Sequence, residues 1–194
     1  MTKNQDTTVN QSHSQAGGDI AGGSISKSYH FSSHANAYEA IDKLAAKLRA
    51  EVDDEQTVDG TIANLAYYKR RREAVDGIVG LECKLKAGKR LDLWEDALDQ
   101  KVEFERLLEE WSLYASAQEI FAHTLAKIER TFKRQIKPHL HEVSHDAADK
   151  LIDELIVYPV VNECSKVDHF FVNANRALGM LYWLADRCFV RWHR

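Results

Sequence analysis

The sequence ends in Leu178-Gly179-Met180-Leu181-Tyr182-Trp183-Leu184-Ala185-Asp186-Arg187-Cys188-Phe189-Val190-Arg191-Trp192-His193-Arg194, which holds two of its four Trp residues. Terminal segments are more often polar and fray readily, so an apolar end is unusual. Leaving these side chains in water would cost several kcal/mol at about 25 cal/mol per Å² of apolar surface. We therefore expect Met180, Trp183, Cys188, Arg191 and Trp192 to belong to the core or to a docking surface for a partner.

Composition indicates a soluble globular protein. The chain has 194 residues, of which 44% are hydrophobic and 29% charged, and its formal net charge is −4. This length suits one domain with an appended segment. A negative net charge argues against a dedicated nucleic-acid binder, because such domains are usually basic. No run of about 18 apolar residues is present, so we expect no membrane-spanning helix. The three widely spaced Cys residues favour a cytoplasmic location.

Residues 1–33 differ in composition from the remainder. They are rich in Ser, Gly, Gln, Asn and Thr and hold few large apolar side chains, so they cannot fold as an isolated unit. The alternation over residues 24–31 favours a short strand that orders by pairing with copies from other protomers. A flexible tail is the alternative. The candidate oligomerisation residues are Gly18, Asp19, Ile20, Gly22, Gly23 and Ile25.

Residues 34–194 have helical periodicity and predict an all-α fold, a compact bundle of about six helices. Apolar residues spaced by three and four predict helices over about 41–52, 57–85, 94–111, 116–136, 146–157 and 172–189.

Local signals predict where these helices start and stop. Gly88 is expected to end the second helix and Pro138 the fourth. Pro159 is expected to kink or end the fifth. The stretch Ser116-Ala117-Gln118-Glu119 has the form of a capping box that starts the fourth helix, although the third helix could instead bend there.

Several motifs follow one another over residues 55–194. The most specific is Gly179-Met180-Leu181-Tyr182-Trp183-Leu184 followed by Cys188-Phe189-Val190-Arg191-Trp192. It is supported by Gly80-Leu81-Glu82-Cys83-Lys84-Leu85, by Ser116-Ala117-Gln118-Glu119-Ile120-Phe121, and by Phe132 with Ile136 and Pro138. This order resembles the small α-helical domain that commonly forms the C-terminus of effector proteins in bacterial ABC-three-component conflict systems. Residues 17–23, Gly-Gly-Asp-Ile-Ala-Gly-Gly, resemble a Gly-rich element at the head of many bacterial defence proteins.

The resemblance implies a set of partners. In such anti-phage systems an ABC-type ATPase works with a middle component and an effector. The chain is therefore expected to be a non-enzymatic adaptor or assembly subunit that docks with these proteins, and to form a homo-oligomer through its N-terminal segment. No nuclease, protease or hydrolase motif precedes the helical region. The alternatives are a nucleic-acid-sensing subunit and a cryptic nuclease.

Lys69, Arg70, Arg71 and Arg72 are the candidate nucleic-acid contacts, because phosphate binding needs cations on one face. Acidic residues flank this run, so a solvated helix face with local ion pairs is the competing interpretation.

The sequence predicts no metal site, cofactor or catalytic site. His139, His141, His145 and Asp146 are the densest group of metal-ligand types, but no Cys lies nearby and the ligand set is incomplete. We interpret them as residues of a solvated loop.

Overall fold

The computed structural model of this protein describes residues 33–193, with side chains from residue 39 onward. Within that range the backbone is helical and contains no strand. The α-helices are α1 (Ser33–Asp53), α2 (Ala63–Lys69), α3 (Leu81–Ala87), α4 (Trp94–Glu110), α5 (Ala115–Thr131), α6 (His145–Ile152), α7 (Tyr158–Cys164) and α8 (Ala174–Asp186). The all-α fold is confirmed. The candidate oligomerisation residues, and the strand expected around them, lie outside the described residues.

Helix α5 occupies the centre of the bundle, and α1, α2 and α8 pack on it. It can take this position because most of its surface is apolar, including the fully buried Ile120, Phe121 and Leu125. Helix α1 contributes Ile41 and Leu48, both without exposed surface. The bundle therefore closes over a core formed by elements that are distant in sequence.

The predicted helix over residues 57–85 is wrong, because the chain forms two short helices there. Helix α2 ends at Lys69 and α3 begins at Leu81. Gly77 and Gly80 between them adopt φ angles of +74° and +83°, and a right-handed helix cannot contain such residues. The predicted stop at Gly88 is confirmed, since Gly88 caps the C-terminus of α3.

The predicted capping box at Ser116 is also wrong. Helix α5 begins at Ala115, so Ser116 lies inside its first turn. The capping carboxylate comes instead from Glu51 of α1, whose side chain accepts hydrogen bonds from the Ser116 backbone N–H (3.0 Å) and hydroxyl (2.7 Å). A carboxylate at this position also complements the positive end of the α5 dipole.

Pro159 does not end a helix. A π-helical turn, Asp153–Val157, joins α6 to α7, so the helical backbone runs without a break from His145 to Cys164. Pro159 has no backbone N–H to donate, and the wider π turn just before it accommodates this missing bond within the helix. Counting α6 and α7 as one, residues 33–193 contain seven continuous helices rather than about six.

A second π turn, Phe132–Ile136, extends α5, and the helical chain stops before Pro138 as predicted. Asn173 is the N-cap of helix α8, and its side chain accepts a hydrogen bond from the Arg176 N–H at 2.9 Å. It ends at Asp186, so the predicted end at residue 189 is three residues too late. No helix among the described residues has the length and apolarity to cross a lipid bilayer.

Candidate functional site

The residues singled out in the sequence converge around the C-terminal segment. Helix α8 supplies Met180 and Trp183, each 1% exposed, and the segment after it supplies Cys188 and Trp192 at 4% and 3%. The sequence left open whether these four side chains belong to the core or to a docking surface, and their burial decides between the two. They belong to the core, and their apolar surface is not available to a partner.

Helix α8 reaches its position through one close approach. A Cβ atom added to Gly179 would lie 2.1 Å from the backbone oxygen of Gln100 and 3.1 Å from the Cβ of Phe104. The backbones of α4 and α8 therefore touch at this glycine, and these two helices form the most extensive packing between described elements. The approach lets Phe104 meet the Trp183 ring edge to face, with centroids 5.6 Å apart.

Helix α3 is tied to the end of α8 by a buried cation. Lys84 has no exposed surface. Its Nζ donates to the backbone oxygen of Ala185 and lies 3.0 Å from the Sγ of Cys188. Cys188 adopts a φ angle of +68°, a left-handed conformation that turns the chain back toward α3. A buried ammonium needs such acceptors, since a buried unpaired charge is costly.

Asp186 holds the other end of α3. Its Oδ1 accepts a hydrogen bond from the backbone N–H of Leu81 at 3.2 Å. Its Oδ2 lies 3.4 Å from both Lys101 Nζ and Arg71 Nη2. A single carboxylate thus links α3, α4 and the loop between α2 and α3 to the last residue of α8.

The final residues are held by Asp76, which lies in that same loop. Asp76 Oδ2 lies 2.7 Å from His193 Nε2 and 3.1 Å from Arg191 Nη1, while Oδ1 accepts from the Ile78 N–H at 3.1 Å. The hydrogen bond from His193, the Ile78 N–H and the charge of Arg191 lower the Asp76 pKa to about 2. Arg191 is thus an ion-pair residue at the edge of the core, with its side chain 22% exposed.

Trp192 fills the space between these contacts. A Cβ added to Gly88 would lie 2.6 Å from the Trp192 Cβ, so only glycine fits there without a shift. The Trp192 ring packs against Phe132 and stacks on Tyr182, with centroids 5.0 and 5.7 Å apart. We call the segment 186–193, together with its partners in residues 69–88, the C-terminal clasp.

Residues 80–192 match a family model, that of C-terminal domain 9 of the ABC-three-component (ABC-3C) systems. The chain belongs to this family. The match covers more than half of the 194 residues and confirms the resemblance inferred from the motifs. A search of curated proteins and a search of solved structures found no match.

Membership of C-terminal domain 9 places the chain in an ABC-3C anti-phage system, in which it has partners. The match begins at Gly80 and ends at Trp192, so both sides of the Lys84–Cys188 contact fall within it. Asp76, which anchors the last residues, falls outside it. The residues of the C-terminal motif, 179–192, therefore act in the structure as packing and clasp residues.

Three of the four candidate nucleic-acid contacts in this member of C-terminal domain 9 have partners within the chain. Lys69 Nζ donates to Thr61 at 3.0 Å, Arg71 approaches Asp186, and Arg72 lies 3.5 Å from Glu129. The Arg72 guanidinium also lies 4.3 Å from the centroid of the Phe189 ring, a cation–π distance. Only Arg70 has no side-chain partner among residues 39–193. This run is better described as an internally paired loop than as a phosphate-binding face.

Arg187, directly after α8, packs on a tryptophan of that helix. Arg187 lies 4.3 Å above the Trp183 ring and donates from Nη1 to the backbone oxygen of Lys69 at 2.8 Å. The hydrogen bond to Lys69 ties the end of α8 to the end of α2, so Arg187 takes part in packing.

Elsewhere in the described part of the chain, metal-ligating and nucleophilic side chains do not form a cluster. Residues 33–193 contain no cluster of three or more His, Cys, Asp or Glu side chains that could hold a metal ion. The three cysteines are free; Cys83 is exposed, and Cys164 and Cys188 are buried. Burial raises the pKa of the Cys164 thiol to about 12, which keeps it protonated and unreactive.

Sequence reasoning missed the polar residues that organise this core. Lys84, Glu51, Gln118 and Glu163 are all buried. The side chain of Gln118 accepts from the Ile62 N–H and donates to two loop carbonyls. One signal was available for Lys84, because it sits at helical spacing between Leu81 and Leu85 on the buried face of α3.

Proposed function

We propose that this protein is a non-enzymatic adaptor of its ABC-3C system that docks with the ABC-type ATPase, the middle component and the effector. The observation that carries the proposal is the family match combined with the burial of the motif residues. Most residues of the C-terminal motif lie in the core. Among the described residues, no cluster combines a nucleophile with a base, and none could hold a metal ion. The exposed surface is then left as the part that acts, through contacts with other proteins.

Large apolar side chains on that surface are the docking residues we expect. Tyr158 at the start of α7 is 63% exposed, and Phe171 in the loop after α7 is 69% exposed. Aromatic side chains are enriched among residues that dominate binding energies at interfaces. These two side chains do not stabilise the monomer by packing, so their exposure is consistent with a role in binding.

Co-purification with the other components of the same system tests the adaptor role. We expect the full-length protein to retain the ATPase or effector on affinity resin, and the Y158S/F171S double variant to retain at least tenfold less. Val75→Ser is the matched control, because Val75 is 88% exposed but lies in the clasp loop. Retention of neither component by the wild-type protein would refute the adaptor role.

We further propose that the N-terminal segment makes the protein a homo-oligomer through edge pairing of short strands. Ile20 and Ile25 would supply the small apolar contacts, while the glycines allow close backbone approach. Light scattering at micromolar concentration should give a larger mass for the full-length chain than for a chain starting at Ser33. The full-length variant I20D/I25D should behave like the shortened chain. Equal masses for all three would show that residues 1–33 do not mediate assembly.

Nucleic-acid sensing through Lys69–Arg72 is the less favoured function, because three of these cations are paired internally. Neutralising the four residues should leave any nucleic-acid binding of the protein almost unchanged and should lower its stability. Loss of all binding in a variant that melts like the wild type would restore this alternative.

A further inference from the structure

A separate cationic surface lies where α5 continues through its π turn. Residues 130–141 read Arg-Thr-Phe-Lys-Arg-Gln-Ile-Lys-Pro-His-Leu-His, with four cations and no acidic residue, in a chain of net charge −4. Arg130, Lys133 and Arg134 are exposed and Lys137 is half-buried. We call Arg130, Lys133, Arg134 and Lys137 the basic stripe.

Few of these charges are neutralised within the protein. Lys133 pairs with Glu129 at 2.5 Å. Among residues 39–193, Arg130, Arg134 and Lys137 make no side-chain hydrogen bond or ion pair. The pairs Arg130–Arg134 and Lys133–Lys137 stand four residues apart, a spacing at which like charges destabilise a helix. Three of the four charges therefore have no counter-charge among the described side chains, which leaves them free to pair with an external anion.

The backbone brings part of the stripe together around a concave surface. Lys133, Lys137, Pro138, His141 and Glu142 line an open depression of about 390 Å³. Lys133 belongs to the π turn Phe132–Ile136, and π turns occur frequently at functional sites. Glu142, the one carboxylate in the lining, is exposed and lies 3.8 Å from His139 Nδ1. Two lysines and a histidine thus share one hollow that an anionic group can enter.

The character of the surface identifies the class of partner. Protein interfaces usually depend on aromatic or aliphatic anchors, but Phe132 and Ile136 in this stretch are fully buried. Apart from Pro138, the exposed side chains of this stretch are cationic or polar. The stripe spans roughly 10 Å of helix at 1.5 Å per residue. At 3.4 Å per phosphate along one strand, this length covers about three phosphates of a duplex.

We propose that the basic stripe binds the phosphodiester backbone of a nucleic acid, without reading its sequence. Lys133, Lys137 and His141 surround one phosphate group in the depression, and Arg130 and Arg134 contact its neighbours along the same strand. This surface is distinct from Lys69–Arg72 and from the exposed aromatic residues Tyr158 and Phe171. It does not depend on the adaptor role.

Fluorescence anisotropy with a labelled 20-nucleotide DNA, single-stranded or duplex, tests the proposal on the full-length protein. Wild-type protein should bind with an affinity that falls steeply between 50 and 200 mM salt. The R130Q/R134Q/K137Q variant should bind at least tenfold more weakly at low salt, with the slope of log K against log salt reduced by about 2 for the single strand and about 3 for the duplex. The charge-preserving variant R130K/R134K/K137R should bind within about threefold of the wild type.

The control variant K47Q/K86Q/R106Q removes the same charge from exposed residues of α1, α3 and α4. It should keep wild-type affinity within about threefold. Equal weakening of both neutralised variants would overturn the proposal, as would the absence of salt-dependent binding by the wild type. Equally tight binding of a 20-residue polyglutamate peptide would also overturn it, because the stripe would then accept acidic proteins. A cooperative melt of R130Q/R134Q/K137Q close to the wild-type melting temperature excludes misfolding as the cause.

Discussion

Replacing Gly179 by Ala tests the close packing of α8 on α4. The new Cβ would meet the Gln100 backbone oxygen at 2.1 Å, whereas ordinary contacts start at 3.4 Å. The two helices must therefore separate locally by about 1.3 Å. Gln100 cannot turn aside, because the clash is with backbone inside a helix. The separation would loosen the packing of Phe104 against Trp183.

The magnitude follows from two opposing effects. Overpacking a core costs about 1–3 kcal/mol, and a clash with backbone belongs at the upper end. Alanine is about 1 kcal/mol better than glycine inside a helix. We therefore expect Gly179→Ala to lower the free energy of unfolding by about 2 kcal/mol. For a domain of this size that lowers the melting temperature by about 4–8 °C.

Thermal and urea unfolding followed by circular dichroism measure this change. Asn175→Ala in the exposed first turn of the same helix is the matched control, since it changes helix propensity without a clash. Its effect should stay within about 0.5 kcal/mol. A Gly179→Ala protein that melts at or above the wild-type temperature would show that α4 and α8 are not in backbone contact at this residue.

Three further predictions concern the clasp. Deleting residues 178–194 should give aggregated or unfolded protein by gel filtration, and a soluble truncation with a cooperative melt would contradict the burial of α8. Lys84→Ala should lower the free energy of unfolding, measured in urea, by about 3 kcal/mol, since it leaves a cavity and an unpaired carbonyl. Lys84→Met should lower it less, and an unchanged stability of Lys84→Ala would argue against the buried contact to Cys188. Because the hydrogen bond from His193 lowers the Asp76 pKa from 3.8 to about 2, this carboxylate stabilises the fold above pH 4 and loses that effect as pH falls to 2. Asp76→Asn should flatten the stability profile over that interval, and an unchanged profile would count against the His193 contact.

The sequence predicted the elements whose apolar residues recur regularly. The spacing of Ile41, Leu44 and Leu48 was enough to predict α1, and the apolar content of residues 178–194 was enough to predict their burial. Both signals are local, since each helix must bury one face wherever its neighbours lie. The family resemblance depended on such residues as well, and the family match over residues 80–192 confirms it.

What failed depended on distant partners. Ser116 and Glu119 have the form of a capping box, but Glu51 lies 65 residues earlier in the chain and takes the capping role. Pro159 was expected to kink or end a helix, and it does not end one, because a π turn that no single residue type encodes precedes it. The role of Lys84 requires Ala185 and Cys188, about one hundred residues away. No local pattern could reveal these pairings.

The contacts made by α1 and α2 have a consequence for how the domain can be transferred between proteins. The family match starts at Gly80, whereas Ile41, Leu48 and Leu65 bury themselves on the other side of that boundary. A chimaera cut at residue 80 would expose the face of α5 that these side chains cover and would free the last residues from Asp76. The segment that matches the family model is therefore shorter than the segment that must be transferred to keep the fold. A graft into another defence protein should begin at Ser33.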